Sequence, residues 1–289
     1  MEKKISIILV TYNREKTLFE ILKKIQSFNW EYLNFIIVNN ASSDHTGEIL
    51  EKFSNIFSIE IIHSKNNVGH GAGLALAFEY LLLQPIQPDY LIFLEDDSIP
   101  SQQLILSLFN QIKNSEFGML APMGSISRIG KRLIIKPKVN SILDVDFAVF
   151  DGAIMKFDLV KKVGLPEKDW FMMVDDYEYC YRIKRAGFKI GVIHNNFHEV
   201  LHMGAGKGFS SSNLWRGYYT ERNYVFFVKK HFTFFNLADF TVFFLKRVFG
   251  SLAAPDRGQR VKLKIFGLRD GLLNNKGRTL DPKTIRFVS

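Results

Sequence analysis

Two runs of acidic residues carry most of the chemistry this sequence can offer. Glu95-Asp96-Asp97 follows directly on the apolar run at 89–94 (DYLIFL). Three adjacent carboxylates repel one another unless a cation meets them. A hard divalent ion bound through oxygen, Mg2+ or Mn2+, resolves the repulsion and would also bridge a diphosphate. A plain helix start, with Asp97 or Ser98 as cap, accounts for the tripeptide equally well. The second run, Asp175-Asp176-Tyr177-Glu178, opens a predicted helix. Attraction to the helix dipole explains acids there. The chemical reading is a general base: a carboxylate crowded by other acids is raised towards neutrality, where it accepts a hydroxyl proton.

Other polar groups stand near these runs in the chain. His194, His198 and His202 crowd one stretch, and His202 precedes Met203-Gly204-Ala205-Gly206, where backbone can approach a ligand closely. An imidazole there would add a nitrogen ligand to the same metal. Asn67-x-Gly69-x-Gly71-x-Gly73 leads into a helix and offers backbone N–H groups to a phosphate. It lacks the Walker lysine and follows the third strand, so neither a P-loop nor a dinucleotide fingerprint fits, and a glycine turn without a ligand explains it as well. Trp170 and Phe171 precede the second acidic run, and Arg216, Tyr219, Arg222 and Asn223 follow the glycine- and histidine-rich stretch. Aromatics beside a polar cleft suit sugar faces, but at helical spacing they are more often core.

The elements that must position these groups are legible as alternating apolar runs. Strands are predicted at 5–10, 34–39, 59–63 and 89–94. Helices lie between them, marked first by Leu18, Ile21, Leu22, Ile25 and Phe28. Such alternation implies a parallel sheet with right-handed crossovers. Ligands of such sheets sit beyond the carboxyl ends of the strands, where Thr11, Asn39 to Asp44 and Glu95 to Asp97 fall. After Pro100 a helix is predicted over 101–113, then strands near 117–121, 131–135 and 144–150. A loop follows through Gly164 to Trp170, then a helix over 174–186, a strand over 188–193 and a mobile loop over 197–217. The remainder reads as helical.

The chain has 289 residues and a net charge of +9. From Lys229 onward there are 13 Lys and Arg against 4 Asp, so this stretch carries the whole excess. A neutral body with a basic tail points to an anionic surface. Residues 232–249 hold seven Phe, and Leu237, Phe240, Phe244, Leu245 and Val248 form one helical face. That reads as a surface-lying membrane helix, or as a buried helix or oligomer contact. No apolar run reaches the length of a membrane span, which predicts a cytoplasmic protein, peripheral at the inner face of the membrane. One cysteine, Cys180, excludes an internal disulfide and a multi-cysteine zinc site.

The motifs together resemble the family 2 inverting glycosyltransferases. The residues that carry the resemblance are 10–14 (VTYNR), 38–44 (VNNASSD), Asn67-Val68-Gly69, 94–98 (LEDDS) and 175–182 (DDYEYCYR). His202-Met203-Gly204 and 218–223 (YYTERN) are similar to the rhamnosyl- and galactofuranosyltransferase branches. The resemblance spans about residues 4–230 and implies a GT-A fold: α/β, with a Rossmann-like, mainly parallel central sheet flanked by helices and a helical C-terminal extension. It divides the chain into a glycosyltransferase domain over 1–230, with a nucleotide-binding half (1–100) and an acceptor half (101–230), and a basic aromatic extension over 231–289.

The resemblance also implies roles. Thr11, Tyr12, Arg14, Asn39, Asn40, Asp44, Asn67, Gly69 and Asp96 would hold a UDP- or dTDP-sugar. Glu95, Asp97 and His202 would hold Mn2+ or Mg2+. Asp176 would be the base, and Trp170, Asp175 and Arg216 would meet a glycan or lipid-linked acceptor. Asn39 stands where many relatives have Asp. The acid triplet departs from the Asn-Pro-Asp pattern of many rhamnosyltransferases, which tilts the donor towards a UDP-sugar such as UDP-galactofuranose. Homo-oligomerisation is compatible with the sequence. A sugar-1-phosphate nucleotidyltransferase would also need a metal, but the turn after the first strand lacks that class's glycines. A non-catalytic membrane- or nucleic-acid-binding protein would use the tail but not acids at strand ends; nucleic acid is not an expected partner.

Overall fold

In the computed structural model, residues 4–28, 33–99, 101–194 and 213–288 are described. The first strand, β1 (Ile5–Thr11), shows why the N-terminal runs are mostly apolar. Ile5, Ile7 and Leu9 join one core with Leu18, Ile21, Leu22 and Ile25 of α1 (Glu15–Gln26), while Ile8 joins a second core on the other face with Leu74, Phe78 and Leu81 of α3 (His70–Leu83). Alternate side chains point to opposite faces, so a sheet covered on both sides needs apolar residues on both faces.

Strands β1, β2 (Leu33–Asn39), β3 (Ile59–His63) and β4 (Tyr90–Leu94) pair in parallel, in the order β3-β2-β1-β4. The sheet continues beyond β4 through β10 (Ile154–Lys156), β5 (Met119–Ala121), β11 (Ile190–Ile193) and β8 (Ile142–Val145). β10 and β8 run antiparallel to their neighbours. This is the expected α/β architecture of Rossmann-like, mainly parallel type. A small second sheet joins β6 (Gly124–Arg128), β7 (Lys131–Ile134) and β9 (Phe147–Ala148).

Three expectations need correction. The single strand predicted near 144–150 is split between the two sheets at Asp146, whose carboxylate accepts from Ser127 N at 2.8 Å. The loop predicted through Gly164 contains β10 and the helix α5 (Asp158–Val163); a strand of three residues is too short to show a period. The loop predicted over 197–217 gives way at Leu214 to α7 (Leu214–Lys230); its residues 197–212, with His198 and His202, lie outside the described residues.

The C-terminal stretch folds back on the rest of the chain. Helix α9 (Arg257–Leu272) lies along α7 so closely that a β-carbon on Gly267 would come within 2.2 Å of the Tyr218 carbonyl oxygen. Helix α8 (Phe234–Ser251) is tied to the small sheet by Asp239, which accepts from Gly130 N at 2.8 Å and pairs with Arg132 at 2.7 Å. Arg247 pairs with the buried Glu221 of α7 at 2.7 Å. Part of the basic excess is therefore spent inside the fold. The expected apolar face of α8 is also divided: Phe240 and Phe244 pack inward, whereas Leu237 and Leu245 are exposed together with Phe234, Phe249 and Leu252. Among the described residues no helix is long and apolar enough to cross a membrane.

Candidate active site

Thr11 ends β1, Asn39 ends β2 and Leu94 ends β4, so the polar turns after these strands share one edge of the sheet. They are stitched together. Asp96 accepts from Tyr12 N at 3.2 Å and from Arg14 Nε at 3.3 Å. Burial raises its pKa, and Arg14 and the Tyr12 N–H oppose that. Asp44 accepts from Glu15 N at 3.3 Å and Thr46 N at 3.1 Å, which tethers the starts of α1 and of α2 (Thr46–Ser54) to one carboxylate. Burial resists its charge, but these hydrogen bonds hold it below the usual carboxylate range. Asn39 accepts from Ser42 N at 3.1 Å. Asn40 donates to Asn67 Oδ1 and Gly69 O, and its own Oδ1 accepts from Val68 N at 2.9 Å. The structure thus brings Thr11, Tyr12, Arg14, Asn39, Asn40, Asp44, Asn67, Gly69 and Asp96 to one rim.

The glycine loop has a packing reason. Gly69 (φ 88°) lies so close to the Phe171 carbonyl that a β-carbon would fall 1.8 Å from its oxygen, and His70 N donates to that oxygen at 2.9 Å. A β-carbon on Gly71 would sit 3.2 Å from Asp175 Cβ, and one on Gly73 would overlap Val10. The loop seats the segment that leads into the second acidic run.

Here the second acidic run meets the start of α3. His70 Nδ1 lies 2.6 Å from Asp175 Oδ2. Burial works against an imidazolium, but the Asp175 charge and hydrogen bond, with Glu95 and Asp176 behind, raise the ring to about 9. Burial first, then the charge of Asp151, push Glu95 up to about 7; His70 opposes, and Asp97 and Asp176 add to the rise. Burial and then Asp175 raise Asp176 towards neutrality, against the Tyr177 N–H and His70. Asp176, expected as the base, therefore shares an electrostatic environment with the strand-end acids. Glu178 is different: fully buried, it is held at about 2 because hydrogen bonds from His231, Arg182 and Lys230 overcome its burial. It anchors α6 (Asp175–Arg185).

The backbone before Asp175 is strained. Phe171 (φ 63°, ψ −73°) forms a rare γ-turn closed by Met172 N to Trp170 O at 2.8 Å. Met173 (φ 73°) and Val174 (φ 71°) are also left-handed. Each such residue costs about 1–3 kcal/mol, and such strain gathers at functional sites.

The strand-end acids suit a hard divalent cation. Asp97 Oδ1 is buried without a hydrogen-bond partner, and Glu95 is crowded by Asp151, Asp97 and Asp176. An all-oxygen donor set of this kind fits Mg2+ or Mn2+. Among the described residues no three His, Cys, Asp or Glu are already gathered as ligands. The remaining expected ligand, His202, lies outside them.

The three residues expected at the acceptor fare differently. Trp170 is 3% exposed and packs against Phe226, so its ring belongs to a core. Arg216 is exposed on the first turn of α7 and lies over the Trp215 ring. Asp175 is engaged by His70. Sequence reasoning passed over His70 and Asp151. Asp151 accepts from Glu95 N at 3.2 Å and Ser98 Oγ at 2.7 Å. A histidine opening a helix from a glycine loop, and an acid in an Asp-Gly turn, were the available signals.

Comparison with known proteins decides the family. Residues 6–162, more than half the chain, match the model of glycosyl transferase family 2. The chain belongs to that family. This family 2 member is 22% identical over 204 residues to the low-salt glycan biosynthesis hexosyltransferase Agl10 of Haloferax volcanii, covering 65% of this chain and 64% of that one. It is 23% identical over 117 residues to the glycosyltransferase GlyG of Streptococcus pneumoniae, covering 40% of this chain and 37% of GlyG. The chain thus spans less than two thirds of either relative. Among solved structures it is similar to the Pyrobaculum calidifontis mannosyltransferase PcManGT in complex with GDP-Man and Mn2+, with TM-score 0.60, 13% identity and coverage of 94% and 76%. It is also similar to S. aureus TarS 1–349 in complex with UDP-GlcNAc, with TM-score 0.58, 17% identity and coverage of 93% and 80%. At these identities the two structures speak for the fold.

Proposed function

We propose that this protein is an inverting glycosyltransferase that moves a sugar from a nucleotide donor to a hydroxyl of a glycan or lipid-linked acceptor in surface polysaccharide synthesis. The observation that carries the reading is the contact of His70, at the start of α3, with Asp175, which seats the helix bearing Asp176 at the carboxyl edge of the sheet. Asp176 takes the proton from the acceptor hydroxyl, whose oxygen attacks the anomeric carbon in line as the bond to the diphosphate breaks. A single displacement inverts the configuration. Tyr12, Arg14, Asn39, Asn40, Asp44, Asn67 and Asp96 form the nucleotide-facing rim. Asp97 and Glu95, with His202, would hold Mn2+ or Mg2+, which when bound neutralises charge on the departing diphosphate.

The donor in this reading is a UDP-sugar. The Glu95-Asp96-Asp97 triplet in place of Asn-Pro-Asp weighs against dTDP-rhamnose. UDP-galactofuranose follows from the branch resemblance, whereas TarS binds UDP-GlcNAc. A thermal-shift panel of UDP, dTDP and GDP, with and without Mn2+, separates them, because a ligand specific to the folded state raises the melting temperature. UDP with Mn2+ is expected to give the largest shift. Asp176→Asn should keep that shift and lose transfer by at least about 10^3-fold; transfer at the wild-type rate would remove Asp176 as base.

The same reading puts the protein at an anionic membrane. Phe234 (83% exposed), Leu245, Phe249 (65%) and Leu252 line the outer side of α8, and α9 beside it exposes Arg257, Lys262 and Arg269. Apolar insertion with flanking cations is how a surface-lying helix binds anionic lipid. Co-flotation with phosphatidylglycerol vesicles should fall several-fold in Leu245→Ser/Phe249→Ser; unchanged flotation removes α8 as the contact.

A further inference from the structure

The strained turn before the proposed base is held from outside its own element. Trp170 O accepts from Arg222 Nη2 at 2.8 Å and from Asn223 Nδ2 at 2.8 Å. The same Asn223 amide reaches Met172 O at 2.6 Å and Met173 O at 2.9 Å. Both side chains are fully buried in α7. Arg222 Nε donates to Asn223 Oδ1 at 3.0 Å, which orients the amide so that its N–H2 faces the turn. Arg222 Nη1 in turn donates to Gly277 O and Thr279 Oγ1, both at 2.7 Å, beyond α9. From the opposite side, Gly69 and His70 press on and bond to the Phe171 carbonyl.

Phe171, Met173 and Val174 are all left-handed and none is glycine. A β-branched residue in that region is an outlier that its surroundings must impose. The turn therefore keeps its shape through the carbonyls that α7 holds, and Asp176 follows it by two residues. We infer that Arg222 and Asn223 are positioning residues for the Asp176 carboxylate, joining the C-terminal helices to the reaction centre through the carbonyls of Trp170, Met172 and Met173. The inference rests on Asp176 being the base.

The test uses the full chain with Asn223→Ala. Amide hydrogen exchange is read at Tyr177 and Glu178, whose N–H groups bond to Asp176 Oδ1 and Val174 O. Exchange there should speed up by about 10-fold or more while β1 to β4 are unchanged. With the UDP-sugar that the nucleotide panel selects, kcat should fall about 100-fold, with UDP-Mn2+ affinity held within about two-fold. Met173→Gly, which removes the cost of the left-handed conformation at one position, should recover about ten-fold of kcat in the Asn223→Ala background. Unchanged exchange, an affinity loss equal to the kcat loss, or no recovery overturns the proposal. Should Asn223→Ala fail to fold, Met173→Gly alone decides. It should melt higher than Met173→Ala, which loses the same packing but keeps the left-handed cost, and an equal or lower melting temperature refutes imposed strain. Exchange reports the clamp whether or not Asp176 is the base, and Asp176→Asn reports the base, so the two readings fail separately.

Discussion

Asp176 sits where burial and the neighbouring Asp175 both penalise its charge. Its pKa in the folded chain lies above its ordinary value, so the folded state favours the protonated form. Ionisation costs the folded chain progressively as pH rises from the unfolded value near 3.8 towards neutrality, and the full cost remains above that. Catalysis needs the ionised form. Turnover should therefore drop with unit slope as pH falls below neutrality, and this limb should be absent from the residual rate of Asp176→Asn. The same substitution should raise the melting temperature of the metal-free protein at pH 7.5 by a few degrees, as expected where function opposes stability. A lower melting temperature would mean that Asp176 is paired more favourably than its surroundings indicate. His70 behaves oppositely. With its ring raised to about 9, its pairing with Asp175 contributes stability that is complete below about 6.5 and is lost as pH climbs through 9.

At the scale of elements, the site depends on close backbone approach as much as on charge. The start of α3 touches the turn before α6 at Gly69, where φ is positive and no space exists for a side chain. Gly69→Ala should cost at least about 2 kcal/mol, since it adds left-handed strain to a steric clash. Gly250 in α8 is the contrast: nothing lies within 4 Å of its missing β-carbon and its φ is ordinary. Gly250→Ala should stabilise by about 0.5–1 kcal/mol, the difference in helix propensity. Urea denaturation of both variants checks the pair, and equal effects would mean that the Gly69 contact yields readily. The strands and helices up to β4 were readable because each is long enough to show its period and lies next to its partners in the chain. β10 and α5 were not, because two short elements borrow their stability from β4, β5 and α6.

For the whole molecule, buried contacts cross the boundary read at residue 230. Arg222 reaches Gly277 and Thr279, Tyr218 donates to Asp270 at 2.6 Å, and Tyr219 donates to Leu280 O at 2.7 Å. A chain ending at residue 230 would expose the α7 face that α9 covers and leave Glu221 and Arg222 without these partners. Breaking a buried pair by removing one partner costs about 3–5 kcal/mol. The truncated chain should fail to melt cooperatively in circular dichroism, and a native-like transition would make residues 231–289 a separable extension. Membrane binding is accordingly tested with point substitutions on α8, not with this deletion.

By itself the amino-acid sequence determined the alternating α/β order, the carboxyl edge where ligands gather, and the acid residues that gather there. These follow from local periodicity and from the high cost of clustered charge, both readable in a single segment. Only the tertiary structure decided that His70 pairs with Asp175, that Trp170 is core and that Glu178 is an anchor. It alone showed that Arg222 and Asn223 reach across some 50 residues to hold the turn before Asp176. Those outcomes depend on what burial and distant neighbours do to a side chain, and chain order does not contain that information.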